Sequence, residues 1–113
     1  AGDGAGMTLN SADEWALTAT KGFGYSLHSQ SGSPTMSFQY NTNSSGGACA
    51  TNTACYRQFA DAQASESPVT LFSSSTVADS HTVDVCYKAV ISTTQEAGED
   101  YETNVTYRAT ATF

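Results

Sequence analysis

The chain has 113 residues, of which 39% are hydrophobic and only 13% charged, and its net charge is −7. That length makes one domain around one core. Lys21, Arg57, Lys88 and Arg108 are the only cations, too few and too scattered to neutralise phosphates or hold an anionic membrane face, so nucleic acid is not an expected partner.

No apolar run approaches the roughly 20 residues that span a bilayer, so no membrane-spanning segment is expected. No charged-then-apolar leader stands at the start, and Ala1 fits either a mature exported protein or an excised domain. There are 15 Ser and 16 Thr against 4 Leu. Thr is β-branched and favours the extended chain, while solubility rests on hydroxyls and amides. The composition is that of an extracellular all-β protein.

Residues 1–10 form an N-terminal extension ahead of a single domain over residues 11–113. Ala1-Gly2-Asp3-Gly4-Ala5-Gly6 is entropically costly to order, yet Ala5, Met7 and Leu9 alternate as a strand would. Such a segment either is donated to another subunit or folds back on its own sheet.

Next come three short alternating stretches: Trp15, Leu17 and Ala19, then Phe23, Tyr25 and Leu27, then Met36, Phe38 and Tyr40. Lys21-Gly22 is a candidate turn from the first to the second, and Ser31-Gly32-Ser33-Pro34 from the second to the third. Residues 41–52 read as an exposed loop. Residues 56–59 and 69–72 are candidate strands, and a helical turn at 59–64 fits the alanines there.

The clearest alternation runs over residues 81–92, with Val83, Val85, Tyr87, Ala89 and Ile91 on one face and Thr82, Asp84, Cys86 and Lys88 on the other. A polar crossing loop over residues 93–100 precedes a closing strand whose apolar face is Val105, Tyr107, Ala109, Ala111 and Phe113. About six to eight short strands with regular turn signals predict a β-sandwich, immunoglobulin-like or jelly-roll.

Three cysteines allow one internal disulfide. Cys49 with Cys55 closes a short loop, Cys55 with Cys86 would clamp that loop to the sheet, and the remaining thiol is quiet or links subunits. No Cys pair is spaced for zinc, and His81 and Cys86 differ in parity, which separates them as a catalytic pair. No catalytic motif is present, so an enzyme is not expected.

Glu96, Glu99, Asp100 and Glu102 could hold Ca²⁺, but they lack the spaced ligand pattern and read first as a solvated turn. No other cofactor is indicated. Trp15, Phe23, Tyr25, Phe38 and Tyr40 are platforms for sugar stacking only where exposed, and their parity reads first as core. Asn43-Ser44-Ser45 and Asn104-Val105-Thr106 are glycosylation sequons if the source glycosylates.

The ending Ala97-Gly98-Glu99-Asp100-Tyr101, followed by Val105-Thr106-Tyr107-Arg108-Ala109-Thr110-Ala111-Thr112-Phe113, resembles the Ala-Gly-x-Tyr ending of bacterial surface proteins. Spore coat protein U-like domains, archaic chaperone-usher pilins and surface proteins of candidate-phylum bacteria end in this way. Here one extra residue separates Gly98 from Tyr101, and the resemblance covers about the last 30 residues, in a setting where sandwiches generally place a Tyr.

The resemblance implies an immunoglobulin-like sandwich lacking its last strand, completed by residues 1–10 of a neighbouring copy with Met7 and Leu9 as plugs. The expected role is a structural subunit of a pilus-like filament or surface layer on the cell surface, polymerising with copies of itself. The alternative is a monomeric adhesin or carbohydrate-binding module whose partners are surface glycans.

Overall fold

Alternation around Phe23, Tyr25 and Leu27 marks the centre of the molecule. The computed structural model describes residues 7–15, 21–42, 54–91 and 103–111. Within them lie β1 (Asp13–Glu14), β2 (Gly22–Ser31), β3 (Thr35–Met36), β4 (Cys55–Gln58), β5 (Phe72–Ser73) and β6 (Thr82–Val90). The fold is all-β.

The larger sheet has the order β1-β4-β2-β6 and the smaller pairs β3 with β5, every pairing antiparallel. In the main register Tyr25 stands opposite Arg57 on β4 and Tyr87 on β6. β2 is thus flanked on both sides, and Tyr25, Ser26 and Leu27 are fully buried. A β-bulge falls between His28 and Gln30, where the strand nears its end and must turn.

Alternation of side chains across β2 and β4 divides the aromatic residues between two faces. One face carries Tyr25 and Leu27, which form the core with Ala12, Phe38 and Cys55. Met36 from β3, Leu71 beside β5, Phe59, Val83 and Val85 pack against that cluster, so the small sheet lies over the large one. Phe59 stacks 5.1 Å from Phe23 and lies tilted 4.6 Å from Tyr25. On the other face Trp15 meets Tyr56 edge-on at 5.6 Å, and the Lys88 ammonium lies 4.8 Å from the Trp15 ring and 5.1 Å from that of Tyr56.

Several expectations need correction. Gly22 is the first residue of β2, while Leu17 and Ala19, in the stretch that Lys21-Gly22 would turn from, lie outside the described residues. Ser31-Gly32-Ser33-Pro34 does turn the chain, with Gly32 at φ 77°. It delivers β3 to the other sheet, however, because β3 pairs with β5. A side chain at Gly32 would strike the ring of His81, which fixes glycine there by sterics as well as by φ.

The closing strand is also corrected over its described part: residues 103–111 carry no strand. Val105 is half-buried while Tyr107, Ala109 and Ala111 are exposed; Phe113 lies outside the described residues. Tyr107 is tied to the sheet through its hydroxyl, which meets that of Tyr87. The alanine-rich stretch after Phe59 forms a turn over residues 62–65. The Asp61 carbonyl accepts from the N–H groups of Ala64 and Glu66, and the Glu66 carboxylate accepts from the Asp61 N–H at 2.8 Å.

Candidate functional site

Two places on the larger sheet go beyond scaffolding. The first is where the N-terminal segment docks. Met7 is buried, Leu9 half-buried and Thr8 exposed, which is the alternation expected of this segment; Ala5 lies outside the described residues. The Met7 side chain lies on Gly24. A Cβ at Gly24 would stand 3.1 Å from Met7 Sδ and Cε and 2.9 Å from the Arg57 carbonyl oxygen. Gly24 therefore makes a notch that no larger residue leaves open.

Arg57 holds the next part of the segment: its Nε donates to the Leu9 carbonyl at 2.8 Å. The residue is buried although it carries a charge, and its guanidinium carbon stands 5.8 Å from the centre of the Phe38 ring. A buried cation without partners is very costly, so the Leu9 carbonyl and the ring are part of what makes this position tolerable. Burial raises the Tyr25 hydroxyl above its ordinary pKa of 10.0, and the charge of Arg57 pulls it the other way.

The second place is a cleft of about 500 Å³ at the bulged end of β2. Leu27, His28, Gln30, Met36, Gln39, Tyr40 and Asn41 line it. Tyr40 is fixed through its backbone: its N–H donates to the Leu27 carbonyl at 2.9 Å and its carbonyl accepts from the Cys55 N–H at 2.7 Å. Gln39 and Thr42 exchange backbone hydrogen bonds at 3.1 Å, so Tyr40 and Asn41 sit at the tip of a tight turn. The His28 and Tyr40 rings stack 4.4 Å apart.

The cysteines separate into two kinds. Cys86 is exposed and its thiol is free, which removes the pairing of Cys55 with Cys86. Cys55 is fully buried. Cys49 lies outside the described residues, as do Glu96, Glu99, Asp100, Glu102, Gly98, Tyr101 and the Asn43 sequon. Asn104 is exposed. Among the described residues no group of His, Cys, Asp and Glu could hold a metal, and no helix is long and apolar enough to cross a membrane.

Trp15, Tyr25 and Phe38 are buried and Phe23 and Tyr40 half-buried, so of the five aromatics Tyr40 alone lines the cleft. Sequence reasoning passed over Gly24, Arg57, His28, Gln39 and Asn41. Gly24 did carry a signal: it is an isolated glycine between Phe23 and Tyr25 in a strand pattern, which marks a close approach of another group. Arg57 and the amides carried none, since their roles depend on partners distant in the chain.

No protein-family model, curated protein or solved structure matches this chain.

Proposed function

We propose that this protein is a structural subunit of an extracellular filament or surface layer, assembled by exchange of its N-terminal segment between copies. The observation that carries the reading is the docking of Met7 in the Gly24 notch, because it supplies both halves of a strand-exchange contact: a detachable plug and a shaped receptor. When residues 1–10 of one copy fill the notch of the next, Met7 and the Leu9 carbonyl find the same partners in trans. Such a swap is a low-cost route to assembly, and a head-to-tail version of it grows without closing.

The magnitudes suit exchange. Burying a Met side chain contributes about 1.5–3 kcal/mol, and a hydrogen bond from a charged donor roughly 1.5–3 kcal/mol. The resemblance of the C-terminal residues to pilins and spore coat proteins of bacteria favours the same class of function, at the cell surface.

A disulfide between Cys49 and Cys55 belongs to this reading. Of the three cysteines, Cys86 is exposed with a free thiol and Cys55 is fully buried, which favours the pairing of Cys55 with Cys49. It would brace the chain leading into β4, next to the notch, as an oxidising environment permits. No catalytic role is proposed.

The test is deletion of residues 1–10. Full-length protein should form filaments or sheets visible by electron microscopy and the deleted form should stay monomeric; fibres of unchanged appearance from the deleted form would refute the proposal.

A further inference from the structure

We infer that the cleft at the bulged end of β2 is a binding site for a neutral saccharide. This inference uses none of the residues in the notch and stands independently of segment exchange.

The argument is chemical. Among the described residues that line the cleft there is no carboxylate, ammonium or guanidinium, so these residues offer an anionic or cationic ligand no counter-charge for its lost hydration. What the walls do offer is three primary amides, on Gln30, Gln39 and Asn41. Each amide presents an acceptor oxygen and two N–H donors, the combination that pairs with adjacent hydroxyls, each of which donates one hydrogen bond and accepts others.

A ligand that is only polar would not use the rest of the cleft. Met36 adds a half-buried apolar side chain to the lining, and the stacked rings of Tyr40 and His28 line it too. A pyranose has a face of C–H groups and a rim of hydroxyls, which matches an aromatic wall with amides around it. The cleft's volume of about 500 Å³ falls within the usual range of roughly 300–1,000 Å³ for small-molecule sites.

Preorganisation supports the assignment. The Tyr40 backbone is held between Leu27 and Cys55, and the turn that carries Asn41 is closed by the Gln39–Thr42 pair. A wall fixed by its own backbone loses little further freedom when a ligand binds.

Screening the purified full-length protein against an array of neutral and anionic glycans tests the inference, followed by titration of the best hit by nuclear magnetic resonance. The expected result is saturable binding of a neutral glycan with shifts centred on Gln39, Tyr40 and Asn41. Tyr40→Ala should weaken it at least tenfold. Should that variant fold poorly, Gln39→Ala and Asn41→Ala, which leave the Met36 side chain in place, should each weaken binding severalfold, while Gln63→Ala on the remote turn leaves it unchanged. No hit across the array, hits confined to anionic glycans, or binding indifferent to the Gln39 and Asn41 variants would overturn it. Filament formation by the same protein is unaffected by any of these results.

Discussion

β2 and β6 are the two long strands among the described residues and pair along their length, yet they live in different surroundings. β2 has β4 on one side and β6 on the other, with Tyr25, Ser26 and Leu27 fully buried. β6 has one neighbour among the described residues; Cys86 and Tyr87 are exposed, and Ile91, just past its end, is 72% exposed. The sequence signals ranked them the other way, for residues 81–92 show the cleaner alternation. Alternation reports that a strand has two unlike faces; how deeply either face is covered depends on which strands lie beside it.

Core truncation sharpens the contrast most. Leu27→Ala should lower unfolding free energy by about 2–5 kcal/mol, whereas Val85→Ala, opposite it on β6 and half-buried, should cost about 1 kcal/mol. Urea denaturation followed by tryptophan fluorescence measures both, since Trp15 is the sole Trp. Equal losses would mean that the β6 side is covered as deeply as the β2 side.

Gly24→Val comes next, at about 1–3 kcal/mol from overpacking. Its cost should fall in part when Met7→Ala is combined with it, because the clashing side chain is then gone while the Arg57 carbonyl remains. Strict additivity of the two changes would show that Met7 does not occupy the notch.

The pH dependence is a smaller effect with a definite sign. Tyr25 and Tyr56 have hydroxyl pKa values raised above 10.0, chiefly by burial. Tyr107 is raised as well, by loss of solvent first and then by its contact with Tyr87. In the folded state these groups hold their protons longer than in the unfolded chain, so their contribution is fully present below pH 10 and is lost as pH rises above it. Lys88 acts in the opposite sense: desolvation lowers it from 10.5, so relief of its buried charge adds stability as pH rises towards that value. Three tyrosines outweigh one lysine, and thermal melts should show stability falling above about pH 10. A Tyr25→Phe variant should show a shallower fall, and an unchanged profile would count against a buried Tyr25 hydroxyl as its source. The least effect belongs to Cys86→Ser: on an exposed position of β6 it should change stability by under about 0.5 kcal/mol.

The all-β class was legible in the chain because Thr content and period-two alternation are local properties. The strands around Tyr25, Tyr56 and Val85 were found for the same reason. β4 lies more than thirty residues beyond Gly22 in the chain and inserts between β1 and β2, and no local signal records an insertion from so far away. The closing residues show the converse failure: Val105, Tyr107, Ala109 and Ala111 alternate well, but a strand needs a partner as well as a pattern. At the candidate sites, Met7 and Leu9 announced themselves through alternation and Tyr40 through its place in a strand pattern. The Arg57 to Leu9 bond and the gathering of Gln30, Gln39 and Asn41 arise only from folding.

The exchange account rests on the Gly24 notch being a receptor that a segment of another molecule can fill. Titrating a synthetic peptide of residues 1–10 into protein lacking those residues tests that claim directly, with calorimetry as the readout. Saturable one-to-one binding that disappears in the Gly24→Val form is the predicted result. Heat no greater than dilution, or binding indifferent to Gly24→Val, would contradict it.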